Sequence, residues 1–349
     1  MYRIYIDSTV KKCAIKFAEA VLKAKPYTSD LKHLKKNLTC TTNKVFEKKA
    51  KDYVQLILDL YKKKKISTNK LSLSDSILCE KSSSFASYIK RFEAIIPQKD
   101  LSTTIQYTNS NGKTCDDVFW KVLVEVMDYG SFKSTYYECI EKIGIDACIY
   151  CNMSPADKCD SNFANYQMEH FYPKNSYPFL STSFFNFFPS CGTCNQKKGK
   201  IFDSDGFDLY RKRKSDIDDP FMFTTHNAIC YYKKLNRNQD LFQEEKNVKV
   251  SFSSPTKYAE KQIIKLQIQE RYNCRRIRRK IFELLFKYER YTKTQIKVTQ
   301  RTFSKLTSLK NKKIYDVFGS YSKKEDIHKE QLTKFSIDFG KETGMLPSP

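Results

Sequence analysis

The sequence predicts a mostly helical α+β protein in which a small cysteine-rich domain lies between two helical regions. Apolar residues recur at the three- and four-residue spacings of buried helical faces in the first 145 residues, and again after residue 257. Between residues 148 and 200, cysteine pairs, aromatic clusters and turn-rich pieces replace that periodicity. We therefore divide the chain into an N-terminal region (1–145), a central domain (146–215) and a C-terminal region (216–349).

The N-terminal region contains two stretches with a helical pattern. One is formed by Phe46, Tyr53, Leu56, Ile57 and Leu60, and the other by Val118, Leu123, Val124 and Met127. A polar break at 101–113 lies between them, and its Asn111-Gly112 pair predicts a turn. The function of this region stays open between docking a partner and recognising a substrate.

The C-terminal region is predicted to begin irregularly, with a strand at Val248–Phe252, and to become helical near Lys257. One apolar helical face is formed by Ile277, Ile281, Leu284 and Tyr288. The rest of that helix is crowded with positive charge. Its predicted nucleic-acid contacts are Arg271, Arg275, Arg276 and Arg279.

The composition describes a folded and strongly basic protein. The 349 residues carry a formal net charge of +24, and a hydrophobic fraction of 40% is too high for a disordered polycation. Such a charge favours a polyanionic partner, most often nucleic acid. No apolar run approaches the length of a membrane span, and the amino terminus lacks the apolar core of a signal peptide. We expect a cytoplasmic protein with no membrane contact.

Two Cys-x-x-Cys pairs are the strongest chemical signal in the sequence. They are Cys148/Cys151 and Cys191/Cys194, and each pair can present two thiolates from one tight turn. Together they predict a tetrahedral four-cysteine Zn²⁺ site. The alternatives are a chance occurrence or a redox pair, but no βαβ pattern of a thioredoxin-like centre accompanies them. The 39 residues between the pairs exceed the spacing of a simple zinc ribbon, so this segment is expected to have its own function.

That segment contains the residue types of a phosphodiesterase. His170, one of four histidines in the chain, follows the carboxylate of Glu169. An imidazole can accept a proton from water near neutral pH. Carboxylate and amide oxygens suit Mg²⁺ or Mn²⁺, and several lysines nearby could hold a phosphate backbone. The lysines predicted to contact nucleic acid are Lys174, Lys197, Lys198 and Lys200.

The order of these residues resembles the HNH endonuclease family, in the subclass whose ββα-metal hairpin lies inside a four-cysteine zinc knuckle. The family pattern runs CxxC, acidic residue-His with a nearby Pro-Lys, Asn, then CxxC-Asn-x-x-Lys. The matching residues here are Cys148/Cys151, Glu169-His170, Pro173-Lys174, Asn186, Cys191/Cys194, Asn195 and Lys198. The resemblance covers about 55 residues tightly. A looser one extends to the HNH subunits of Septu-type and retron-linked bacterial defence systems.

This resemblance implies a role for each matching residue. His170 would be the general base, Asn186 would orient it through backbone hydrogen bonds, and Asn195 would bind a catalytic Mg²⁺ or Mn²⁺. Glu169 occupies a position where many relatives have a metal-binding Asp, and Asn195 replaces the last His of the family name. The zinc would be structural. The implied protein is a nuclease for DNA, which we favour, or RNA such as tRNA, acting in an anti-phage complex with an ATPase subunit.

Two other classes of function fit part of the pattern. A non-catalytic, zinc-dependent nucleic-acid-binding module would explain the cysteines and the charge. A docking subunit with a degenerate core would explain the long helical flanks. Metal-dependent cleavage separates the nuclease from both.

Overall fold

Helices form most of the described chain, and every sheet within it has two strands, so the predicted mostly helical α+β class is confirmed. The computed structural model of the protein describes residues 3–24, 26–61, 64–65, 71–72, 76–109, 112–160, 163–199, 210–211, 222–225, 228, 248–253, 257–290 and 327–343. None of the helices in these ranges combines the length and the apolar character that crossing a bilayer requires.

The N-terminal region is built mainly from helices. They are α1 (Ser8–Lys23), α2 (Leu31–Asn37), α3 (Lys44–Tyr61), α4 (Phe85–Ile95), α5 (Phe119–Met127) and α6 (Lys133–Ile143). Its strands are β1 (Ile4–Tyr5), β2 (Lys64–Lys65), β3 (Leu71–Ser72), β4 (Thr104–Thr108) and β5 (Thr114–Val118). Helix α3 buries Phe46, Tyr53 and Ile57, which belong to the predicted apolar face.

The predicted polar break at 101–113 contains the first strand and the turn of an antiparallel hairpin, whose second strand follows it. Strands β4 and β5 pair from Thr104 opposite Val118 to Thr108 opposite Thr114. Gly112 lies in the turn with a φ of 75°, a conformation that glycine adopts without steric cost. Val118, predicted to be helical, ends β5, and α5 begins at the next residue.

The central domain and the C-terminal region supply the remaining elements. They are β6 (Gln167–His170), β7 (Phe187–Ser190), α7 (Gly192–Lys198), β8 (Tyr210–Arg211), β9 (Met222–Thr224), β10 (Ser251–Ser253), α8 (Lys257–Lys265), α9 (Ile268–Tyr272), α10 (Arg275–Arg290) and α11 (Thr333–Glu342). Strand β8 pairs in parallel with β1, and β9 pairs antiparallel with β10. The strand predicted at Val248–Phe252 is found at Ser251–Ser253, and helix begins at Lys257 as predicted.

One aromatic core joins the N-terminal region to the central domain. The ring of Phe17 on α1 lies 6.1 Å from Phe132 and 6.4 Å from Tyr136, both next to or on α6. The same ring lies 5.8 Å from Phe184, which precedes β7, and 5.8 Å from Phe187, the first residue of β7. The hairpin that carries His170 is therefore packed directly on α1 and α6, which fixes it within the larger helical body.

Candidate metal centre and active site

The candidate site is built on a β-hairpin followed by a short helix. Strands β6 and β7 pair antiparallel, with His170 opposite Phe187 and Gln167 opposite Ser190. Helix α7 begins directly after Cys191, so the second cysteine pair lies at the junction of β7 and α7. This strand–strand–helix order is the one that the resemblance predicts.

The four cysteines of the two pairs come together in the structure. Their sulfurs all lie within 4.8 Å of one another and all four residues are buried. The Sγ atoms of Cys151 and Cys191 are 4.0 Å apart. A tetrahedral zinc with Zn–S bonds of about 2.3 Å separates its sulfurs by about 3.8 Å. The cluster therefore has the donor set and nearly the size of a structural zinc site.

Hydrogen-bond donors surround these sulfurs. The backbone N–H of Cys191 donates to Cys148 Sγ at 3.3 Å, and the N–H of Met153 donates to Cys151 Sγ at 3.5 Å. Hydrogen bonding with Cys148 lowers the pKa of the Cys151 thiol to about 6. The lowered pKa favours the thiolate, the form that binds a metal, at Cys151, whereas hydrogen bonding with Cys148 raises the pKa of Cys194 in the same cluster.

His170 is held by a backbone carbonyl beneath an aromatic cover. Its Nε2 lies 3.1 Å from the carbonyl oxygen of Ser181. Its ring packs in T-shaped geometry against Tyr129 and Phe187, with ring centres 5.0 Å and 4.7 Å away. Burial lowers the pKa of the imidazole to about 3, so the ring is neutral at physiological pH. With Nε2–H donating to Ser181, Nδ1 carries the lone pair that can accept a proton.

Asn186 ties together the two ends of the loop that follows His170. Its Oδ1 accepts the N–H of Tyr172 at 2.8 Å, and its Nδ2 donates to the carbonyls of Tyr172 at 3.2 Å and Leu180 at 3.0 Å. Leu180 precedes Ser181, whose carbonyl binds the imidazole. Asn186 is thus a buried backbone brace that fixes the loop orienting His170.

Helix α7 lies along β6 through two side-chain pairs. Gln167 and Glu169 share one face of the strand, and Asn195 and Lys198 share one face of the helix. Asn195 Nδ2 donates to Gln167 Oε1 at 2.5 Å, and Lys198 Nζ donates to Glu169 Oε1 at 2.6 Å. Lys198 also donates to the carbonyl of His170 at 2.9 Å. The two residues assigned to the divalent ion, Glu169 and Asn195, thus lie on facing elements.

Lys198 occupies a different environment from the one the sequence predicts. A phosphate contact belongs at the surface, but Lys198 is only 7% exposed and forms an ion pair with the equally buried Glu169. Burial raises the pKa of Glu169, and the positive charge of Lys198 opposes that shift. The structure therefore gives Lys198 a partner inside the protein.

The other predicted lysine contacts are distributed around the site. Lys174 Nζ lies 3.0 Å from the hydroxyl of Tyr129 and 4.6 Å from the centre of its ring, next to His170. Lys197 is partly exposed at the surface and donates to Gln267 at 2.5 Å. Lys200 lies outside the described residues. A contact of any of these lysines with nucleic acid stays a prediction.

The predicted arginines divide into two groups. Arg275, Arg276 and Arg279 are exposed on α10, although Arg276 also donates to the carbonyl of Met153 at 3.1 Å. Arg271, on α9, is directed at the cysteine cluster, with Nη1 3.0 Å from Cys194 Sγ. This position differs from the predicted nucleic-acid contact and connects α9 to the cysteine cluster.

Sequence reasoning missed two side chains at this site. Tyr129 comes from the N-terminal region and lies between His170 and Lys174. Gln167 binds the amide of Asn195. The position of Gln167, two residues before Glu169 on one strand, gave a signal of a shared face. Tyr129 gave none, because the contact joins residues 41 apart in the chain.

Comparison with known proteins gives one partial similarity. The chain is 31% identical over 94 residues to the Septu protein PtuB of Bacillus thuringiensis, which corresponds to 27% of this chain and 32% of that protein. The match therefore spans about a third of the relative's length. No protein-family profile matches the chain, and no solved structure resembles it significantly. The sequence is thus distantly related to a Septu protein and carries a four-cysteine cluster that could hold a metal such as zinc.

Proposed function

We propose that the chain is a divalent-metal-dependent HNH endonuclease that hydrolyses phosphodiester bonds in nucleic acid, with DNA favoured over RNA. The observation that carries the proposal is the state of His170. It is a neutral imidazole whose Nε2 is held by Ser181, and it lies on a ββα unit beside Glu169 and Asn195. An oriented neutral imidazole next to oxygen ligands is what metal-assisted attack by water requires.

In the proposed reaction, His170 takes the proton of the attacking water at Nδ1. The carbonyl of Ser181 accepts the Nε2–H both before and after this transfer, so it holds the ring and stabilises the imidazolium. Lys174 and the hydroxyl of Tyr129 lie next to the imidazole and offer positive charge and a hydrogen-bond donor to a phosphate oxygen. By family resemblance, the water oxygen bonds to phosphorus, the P–O3′ bond breaks, and the 3′ oxygen takes a proton from solvent, so that the products carry 5′-phosphate and 3′-hydroxyl ends.

Glu169 and Asn195 would hold the divalent ion. Lys198 binds Glu169 Oε1, and Oε2 is the carboxylate oxygen that could bind an ion. The amide nitrogen of Asn195 donates a hydrogen bond to Gln167, so the amide oxygen of Asn195 is the atom that could bind the ion. These are hard ligands of the kind that Mg²⁺ and Mn²⁺ prefer. When bound, such an ion would offset the negative charge that develops on the phosphate.

The zinc would have a structural role in this proposal, since four thiolates leave a tetrahedral ion no open position for water. The distant relation to a Septu protein supports a place in a bacterial anti-phage defence complex. In such a complex, an ATPase subunit would be the partner and would control the nuclease.

The decisive experiment is cleavage of plasmid DNA and bulk tRNA with EDTA, Mg²⁺ or Mn²⁺, using the wild type and His170→Ala. A general base contributes about 10²–10⁴-fold to rate, so His170→Ala should lower metal-dependent cleavage by that factor. His33→Ala, at an exposed position on α2, is the matched control and should cleave like the wild type. Undiminished cleavage by His170→Ala would refute the mechanism.

The buried Glu169–Lys198 pair favours a second candidate, a non-catalytic nucleic-acid-binding or docking subunit. Lys198, at 2.6 Å, already supplies Glu169 with a positive partner. A buried carboxylate in a domain that binds no divalent ion would need such a partner. Absence of cleavage in the presence of the partner ATPase, together with salt-sensitive binding of nucleic acid, would support the binding module. Absence of both activities would support the docking subunit.

A further inference from the structure

The guanidinium of Arg271 reaches sulfurs of both cysteine pairs. Its Nη1 lies 3.0 Å from Cys194 Sγ, and its Nη2 lies 3.6 Å from Cys151 Sγ and 3.8 Å from Cys191 Sγ. Three of the four sulfurs of the cluster therefore face one arginine. Both terminal nitrogens are directed at sulfur, which is not the arrangement of a side chain that reaches out to a phosphate backbone.

Neighbouring contacts fix α9 in the position that allows this approach. The hydroxyl of Tyr272, which is fully buried, donates to the carbonyl of Cys151 at 2.5 Å. Arg276, at the start of α10, donates to the carbonyl of Met153 at 3.1 Å. The backbone of the first cysteine turn thus anchors the chain directly after Arg271, and the side chain of Arg271 lies over the sulfurs as a consequence.

Charge explains why an arginine is placed there. Four thiolates around one Zn²⁺ leave a net charge of −2, and this cluster is buried, where an uncompensated charge is expensive. The backbone donors at Cys191 and Met153 carry no net charge. A guanidinium brings one full positive charge and several N–H donors in a fixed plane, so it can bind more than one sulfur at once.

We propose that Arg271 is an outer-sphere component of the metal centre, which neutralises part of the tetrathiolate charge and slows loss of the metal. The inference rests on the zinc site of the proposed function. Hydrogen bonds to a thiolate lower its reactivity toward protons and chelators, and partners of metal ligands typically contribute 10–100-fold to metal affinity. Arg271 is a positioning residue here, because it acts through the cysteines.

The test is transfer of zinc from the purified full-length protein to an excess of a chromogenic chelator. Arg271→Met keeps an unbranched apolar stem and removes the charged guanidinium. If zinc binds at an unchanged rate, a 10–100-fold lower affinity appears as release about 10–100-fold faster than in the wild type. Arg271→Lys, which keeps one charge but lacks the planar pair of donors, should fall between the two. Arg275→Met removes an exposed arginine four residues away and should release zinc at the wild-type rate.

The outcomes separate this inference from the zinc site itself. Wild-type protein without zinc, measured by elemental analysis, would refute both. Stoichiometric zinc in the wild type, with equal release rates for Arg271→Met and Arg275→Met, would refute only the role of Arg271. If, in addition, the slope of log binding constant against log salt concentration for DNA were smaller by about 0.9 in Arg271→Met than in the wild type, Arg271 would be a phosphate contact instead. Circular dichroism of zinc-loaded Arg271→Met and Arg271→Lys shows whether each variant is folded.

Discussion

Replacement of Lys198 by Met gives the sharpest test of how the candidate site is built. Both side chains of the Glu169–Lys198 pair are only 8% exposed, so water screens their attraction little. Removing one partner of a buried ion pair leaves the other charge uncompensated, which typically costs about 3–5 kcal/mol. We therefore expect Lys198→Met to lower the free energy of unfolding by about that amount at neutral pH. Met keeps most of the volume of the lysine stem, so the change is mainly electrostatic.

The pH dependence identifies Glu169 as the cause of that loss. Burial raises the pKa of Glu169 even with Lys198 present, and removing the lysine raises the pKa further. A carboxyl whose pKa is higher in the folded state than in the unfolded state destabilises the fold when it ionises. The loss in Lys198→Met should therefore be complete above the folded-state pKa of Glu169. It should shrink as the pH falls toward the ordinary pKa of glutamate.

Urea unfolding measures both effects, with far-UV circular dichroism and the fluorescence of Trp120, the single tryptophan of the chain, as probes. Lys197→Met is the matched control, because Lys197 is partly exposed and its ammonium donates a hydrogen bond to the neutral Gln267. Combining Lys198→Met with Glu169→Gln removes the unpaired charge and should restore much of the stability. Equal stabilities of Lys198→Met and Lys197→Met would refute the ion-pair argument. So would a double variant that is no more stable than Lys198→Met alone.

Two further variants test the metal centre and the cover of His170. Cys191→Ser should lose zinc and unfold at a lower temperature, because a structural zinc site contributes folding energy. Cys159→Ser, at an exposed cysteine, should keep the zinc content and the unfolding temperature of the wild type. Full zinc content in Cys191→Ser would contradict the four-cysteine site. Tyr129→Phe removes a hydroxyl that binds Lys174 but keeps the ring against the imidazole. We expect the cleavage rate to fall about tenfold, the effect of losing one hydrogen bond to a charged group, with little change in stability. Unchanged cleavage rates in Tyr129→Phe would show that the hydroxyl takes no part in substrate binding.

The cysteine cluster could be predicted because its information is local. Each Cys-x-x-Cys pair is one turn that presents two ligands, so spacing alone indicates a metal site. The ion pair of Lys198 could not be predicted in that way, since Glu169 lies 29 residues earlier and only the packing of α7 on β6 joins them. Arg271 belongs to a group of nearby arginines that sequence alone does not distinguish from one another. Only the anchoring of α9 directs its side chain to sulfur.

The fold shows the same division between local and non-local information. Helical periodicity predicted α3 because its buried face repeats within the helix. The hairpin of β4 and β5 was missed because its polar residues look like a loop. Strand β4 buries only Ile105 and Tyr107, a short two-residue pattern, and β5 buries none of its residues. The contact of Tyr129 with His170 depends on how α5 and α6 pack on the central hairpin, which no local pattern encodes.

The positive charges at the site bear on the proposed chemistry through His170. Burial lowers its pKa to about 3, and the charges of Lys174 and Lys198 act in the same direction. A base with so low a pKa is always unprotonated at physiological pH but takes up a proton weakly. A phosphodiester anion bound beside Lys174 would offset the positive charge, and its negative charge would raise the pKa of the imidazole. In the proposed mechanism, the substrate thus strengthens the base that deprotonates the attacking water, and His170 stays a neutral, weak base until nucleic acid is bound.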